Sequence, residues 1–208
     1  MPYFPDGSLR DRLTSITATR HVYSIQAASS IIYYLADALS YAHAQQVIHR
    51  DLKPENILFA GHEPVLADWG IGKFIHRQSK VITGAGMGTY TYCAPEQWHE
   101  GHSDCRSDIY SLGIIFRELL TGSVHGQVSE PNVNAVILNM TMPHPTHRYP
   151  SMNHVKAAIR CLGIVNTEQP MDAFMDGAKK IALTLGVAYL VAKIFDRQLR
   201  YRQDSRDR

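Results

Sequence analysis

The chain is poor in cysteine, carries no excess of one charge, and has no long apolar run. Three cysteines (Cys93, Cys105 and Cys161) can neither staple a fold nor form the paired Cys-x-x-Cys ligands of a zinc site. The 21 Lys+Arg against 19 Asp+Glu leave a formal net charge of +2, too balanced for a protein that coats nucleic acid, so no nucleic-acid partner is expected. No uninterrupted apolar stretch reaches the roughly 18 residues of a membrane-spanning helix. The N-terminus shows no basic stretch followed by an apolar core, so no secretory signal is read and a cytoplasmic setting is expected. What is present suffices for a folded domain: 208 residues, 45% hydrophobic and 19% charged.

Residues 1–13, MPYFPDGSLRDRL, carry two prolines and a Gly-Ser turn and read as a connector before a short helical pattern. Apolar Ile25, Ala28, Ile32, Leu35, Leu39 and Ala42 recur at spacings of three and four, which predicts a helix over 24–45. Two short runs, Ile57–Phe59 and Val65–Ala67, flank the turn-rich Gly61-His62-Glu63-Pro64 and predict a hairpin. Lys73 to Met87 reads as a long mobile loop. A second strong helix is expected over Ser107–Leu120, with Asp108 in its first turn and Thr121-Gly122 ending it. Weaker helices are expected over Val133–Met140 and Ser151–Cys161.

The chemistry concentrates in His49-Arg50-Asp51-Leu52-Lys53-Pro54-Glu55-Asn56 and, across the hairpin, Asp68-Trp69-Gly70. Asp51, Lys53 and Asn56 share one tight loop that Pro54 is expected to prevent from being helical. The hairpin leaves from Asn56 and returns to Asp68, so an amide oxygen and a carboxylate should lie side by side. Hard oxygen ligands of this kind suit Mg²⁺. With Asp51 as a proton acceptor and Lys53 as a fixed positive charge, the set fits phosphoryl transfer, where positioning and charge neutralisation do most of the work.

These residues resemble the catalytic loop of the eukaryotic-type Ser/Thr protein kinases, with Asp68-Trp69-Gly70 standing where the family usually has DFG. Ala94-Pro95-Glu96 resembles the APE motif. The stretch from Asp108 to Gly113 resembles the start of the family's central buried helix, and Arg148 the arginine that pairs with the APE glutamate. The resemblance implies a mostly α (α+β) kinase-like C-lobe over residues 1–160 with a small catalytic β-hairpin. It implies catalytic roles for Asp51, Lys53 and Thr89, with Lys53, Asn56 and Asp68 binding the cofactor ATP and Asn56 and Asp68 holding Mg²⁺. Arg50, Ser79 and Thr83 would be regulatory, with a phosphate on Ser79 or Thr83 pairing with Arg50. Glu96, Arg148 and Asp108 would be structural, and His49 and Trp69 would serve packing. Protein Ser or Thr hydroxyls would be the substrates. The runner-up is a non-catalytic docking module derived from a kinase.

The sequence contains no GxGxxG loop and no VAIK-like strand lysine. A nucleotide-gripping N-lobe encoded upstream is therefore expected as a partner of this lobe. Residues 161–208 are expected to form a helical extension with a basic end. Ile181 to Ala192 is free of charge and flanked by Lys179-Lys180 and Lys193. The 171–203 tail is read first as a helix packed on the kinase body or on a partner, and second as a membrane-surface anchor. His99-x2-His102 and His144-x2-His147 lack cysteine partners and read as surface histidines, and Cys93 reads as a buried thiol.

Overall fold

Asp6, Gly7 and Ser8 lie along the catalytic hairpin instead of forming a loose connector. In the computed structural model, which describes residues 6–18, 21–61, 63–69, 91–99 and 103–164, the Phe59 amide donates to Gly7 O at 3.0 Å and Gly61 N to Asp6 Oδ2 at 2.8 Å. Ser8 then caps helix α1 (Leu9–Ala18), its hydroxyl and amide both donating to Asp11 Oδ2. The helical part of the expected connector thus begins at Leu9, which is buried together with Leu13.

Helix α2 (Ile25–Ala44) begins at Ser24, whose Oγ accepts from Ala27 N at 3.2 Å, and it buries Ile32, Leu35 and Leu39 along one stripe. A single 3-10 turn, Pro54–Asn56, leads into β1 (Ile57–Ala60), which pairs antiparallel with β2 (Glu63–Leu66), Ile57 opposite Leu66. The hairpin turn is tighter than the sequence suggests, because Glu63 and Pro64 belong to the strand and Pro64 sits opposite Phe59. A two-stranded sheet has only edges, where a missing N–H costs little.

The short helix α3 (Pro95–His99) precedes α4 (Cys105–Thr121). Helix α4 starts two residues before the expected Ser107 because Asp104 caps it, accepting from Arg106 N at 2.7 Å. Gly122 closes it in the left-handed conformation (φ 71°), donating to Glu118 O at 2.8 Å. Helices α5 (Pro131–Met140) and α6 (Met152–Cys161) complete the described chain.

Helix α4 is buried on most of its circumference. Ile109, Leu112, Ile115, Phe116 and Leu119 form the centre of one core, against which α2 and α5 pack. Helix α6 closes the far side of α2 through Val155 and Ile159 and through a polar seam: Ser40 with Asn153, Asp37 with Lys156, and Tyr33 with Arg160. Gly113 lets α4 approach the end of α5 closely, since a Cβ there would stand 2.8 Å from Met140 Cβ. Cys93 is half-buried, not buried as expected, and its thiol donates to Gln97 Oε1. Among the described residues no helix is long and apolar enough to cross a membrane. The loop expected over 73–87 and the helical tail expected beyond residue 164 lie outside the described residues.

Candidate active site

The catalytic-loop candidates are held from beneath by one carboxylate. Asp108, buried in the first turn of α4, accepts from the backbone amides of His49 and Arg50, both at 2.9 Å, and meets His43 Nε2 at 2.8 Å. Arg50 adopts a left-handed backbone (φ 66°), a conformation costly for a side chain with a Cβ. Asp108 stabilises it through the amide of that same residue.

His49 is sealed inside. Its ring lies 4.8 Å from the Trp69 ring, and its Nε2 donates to Ala67 O at 3.0 Å. A carbonyl can only accept, which fixes the tautomer. Burial lowers the pKa of His49, despite the Asp108 charge nearby, so the ring is neutral. His49 and Trp69 therefore pack together, joining the catalytic loop to the strand end that carries Asp68.

Around this base the candidate side chains Asp51, Lys53 and Asn56 converge. Lys53 Nζ lies 3.4 Å from Asp51 Oδ2. Asn56 Nδ2 donates to Asp51 O at 2.8 Å and reaches Asp51 Oδ2 at 3.4 Å. Ala67 N donates to Asn56 O at 2.8 Å, which zips the hairpin mouth and sets Ala67, the residue before Asp68, opposite Asn56. Asp68 also has a left-handed backbone (φ 51°). With its nitrogen committed to Asp51, Asn56 keeps Oδ1 as a hard oxygen donor, and Asp68 adds a carboxylate two residues past the end of β2. That donor set fits Mg²⁺. Thr89, Ser79 and Thr83 lie outside the described residues.

Glu96 of α3 and Arg148 make a forked ion pair with both N–O distances 2.8 Å, and Ser107 Oγ adds a hydrogen bond to Glu96. The Arg148 side chain is fully shielded, and its remaining N–H groups reach the carbonyls of Arg106, Met142 and Pro143. Burial alone would raise the Glu96 pKa, but the Arg148 and Ser107 hydrogen bonds outweigh it and hold the carboxyl below the ordinary range.

The protein kinase domain family matches residues 1–178. The chain belongs to the protein kinase family. It is 37% identical over 123 residues to serine/threonine-protein kinase PknL of Mycobacterium tuberculosis, covering 59% of this chain and 30% of that protein. Against serine/threonine-protein kinase PknE of the same organism it is 33% identical over 149 residues, 71% of this chain and 26% of PknE. Against serine/threonine-protein kinase PBL27 of Arabidopsis thaliana it is 39% identical over 126 residues, 58% of this chain and 24% of PBL27. The chain thus spans no more than a third of the length of these curated relatives.

Two site residues of this kinase lobe carry no sequence signal. Gln97 accepts from Ala94 N at 3.1 Å and donates to Arg50 O at 3.3 Å, so it ties the APE helix to the catalytic loop. Arg10 of α1 reaches Glu55, Glu118 and Tyr92, partners 45, 108 and 82 positions away. No local pattern could have announced either residue, because each acts only after the chain has folded back.

Proposed function

We propose that the chain is the C-lobe of a serine/threonine protein kinase, transferring the γ-phosphoryl group of ATP to protein Ser or Thr hydroxyls. The observation that carries this reading is the loop on which Asp51, Lys53 and Asn56 converge, with Lys53 Nζ 3.4 Å from Asp51 Oδ2. Asp51 orients the incoming hydroxyl and accepts its proton. Lys53 neutralises charge on the transferred group, and its side chain is positioned by the same carboxylate. Asn56 and Asp68 would hold Mg²⁺, which when bound supplies the charge that offsets the phosphate oxygens. Thr89 stands in the family position that contacts the catalytic aspartate and favours Ser/Thr substrates.

The family's reaction also needs a Gly-rich cover over the phosphates and a strand lysine, and neither is encoded in these 208 residues. The active unit we propose includes an N-lobe that supplies them. Arg50 would receive a phosphate on Ser79 or Thr83, making charge-assisted hydrogen bonds that order the activation segment. Phosphosite mapping of the active kinase should find one of these residues modified.

Protein phosphorylation by the complete kinase, abolished by Asp51→Asn, is the expected result. Full activity in that variant overturns the reading. The 208 residues alone should be inactive, and robust transfer by them, lost in Asp51→Asn, removes the N-lobe requirement.

A further inference from the structure

The residue before Asp51 is gripped at both of its ends. Arg50 has a left-handed backbone (φ 66°), a conformation that persists only where its surroundings impose it. Asp108 of α4 takes its amide, accepting at 2.9 Å. Gln97 of α3 takes its carbonyl, donating from Nε2 at 3.3 Å. The same nitrogen donates to Ser103 Oγ at 3.2 Å, while Oε1 accepts from Ala94 N at 3.1 Å and from Cys93 Sγ at 3.4 Å. A side-chain amide offers two donors and an oxygen with two lone pairs, and buried Gln97 engages all of them. The Ala94 amide can only donate, so it selects the oxygen of Gln97 and leaves the nitrogen facing Arg50.

We infer that Gln97 is a positioning residue for phosphoryl transfer, holding the peptide plane between Arg50 and Asp51 and thereby the aim of the Asp51 carboxylate. This rests on the kinase reading above. The carbonyl of Arg50 and the amide of Asp51 belong to one rigid plane, so a bond to the first orients the second. Asn56 already holds Asp51 by the carbonyl on its other side, through Nδ2 at 2.8 Å. Gln97 supplies the N-terminal half of that grip. Without it the plane can turn, and Asp51 turns with it, while Asp108 still holds the loop from beneath by the amides of His49 and Arg50. Because its oxygen serves Cys93 and Ala94, Gln97 also ties this plane to the residues leading into the APE motif. A side chain that only filled space here would need neither donor nor acceptor.

Two substitutions separate the donor from the acceptor. Gln97→Met removes both, whereas Gln97→Glu keeps an oxygen for Ala94 and, when ionised, has nothing to donate to Arg50. In the complete kinase each should lower kcat about tenfold or more while the KM for ATP stays within about twofold, as small misplacements of reacting groups do. Once protonated, the introduced carboxyl can donate to Arg50 O again. The kcat of Gln97→Glu relative to the parent should therefore rise as pH falls from about 8 to about 6, because burial makes a carboxyl titrate above its ordinary range. The same ratio for Gln97→Met should stay flat. Full kcat in either variant, or a Gln97→Glu ratio that does not rise, overturns the proposal. Backbone hydrogen exchange tests it without activity. At neutral pH Gln97→Glu should speed exchange over 50–52 and spare Ala94, Gln97→Met should speed both, and α6 should be unchanged in each. Unchanged exchange over 50–52 in both variants overturns the grip. If the parent kinase transfers no phosphate, the functional reading fails and the exchange result still judges Gln97.

Discussion

At the scale of single residues, the Glu96–Arg148 pair and the buried His49 make opposite statements about charge. The first is a charge kept inside because it is compensated. Arg148→Ala would strand the Glu96 carboxylate, at a cost of about 3–5 kcal/mol. Thermal denaturation should show a drop of many degrees, and a melting point within a degree or two of the parent would contradict the pairing. Because the Glu96 pKa is depressed in the fold, its contribution is present above the ordinary glutamate pKa and is lost as acid titrates it below that value. His49 is a charge kept out. Its pKa is lowered by burial, so below about pH 6.5 the unfolded chain takes up a proton that the folded ring refuses, and stability falls with pH in that window. His49→Phe, which can still stack on Trp69, should flatten the fall in melting temperature between neutral pH and pH ~5.5. An equal slope in parent and variant would show that His49 is not the group titrating.

At the scale of elements, α4 closely approaches the end of α5. An added methyl at Gly113 would stand 2.7 Å from Thr141 Cγ2 and 2.8 Å from Met140 Cβ. Gly113→Ala should therefore destabilise by about 1–3 kcal/mol through overpacking, although alanine favours a helix. Chemical denaturation that finds it neutral would mean that α5 can shift at no cost. Elements with a long repeating stripe were legible from sequence: α2 and α4 both bury residues at helical spacing. The convergence of Asp51, Lys53 and Asn56 was legible in the same way, since they lie within six residues of chain. Legibility ended where the determinant was distant or brief. Helix α1 buries only Leu9 and Leu13, too few for a period, and α3 runs just from Pro95 to His99. Pro64 reads as a turn residue because nothing in the sequence says that its strand is an edge. Arg10 looks like one more charge in a polar stretch until Glu118 comes round to meet it.

At the scale of the whole molecule, α1 and α6 lie at opposite ends of the described chain yet contribute to one continuous core. Leu9 and Ile159 are both fully buried in it. Leu9→Ala and Ile159→Ala should each cost about 2–5 kcal/mol and shift a single shared unfolding transition. Two separable transitions in either variant would show that the helices at the two ends unfold independently.

Asp108 holds the catalytic loop by its main chain, gripping the amides of residues 49 and 50. Every amino acid except proline supplies such an amide. The loop's curvature is thus insulated from the identity of residue 50, although a β-branched substitute there would fit its left-handed backbone badly. Over evolutionary time a kinase built this way could exchange Arg50, and with it the phosphate pairing proposed above, without losing the two amide bonds that hold the loop carrying Asp51. Control and chemistry would then be inherited as separable traits, joined in sequence but written in different atoms.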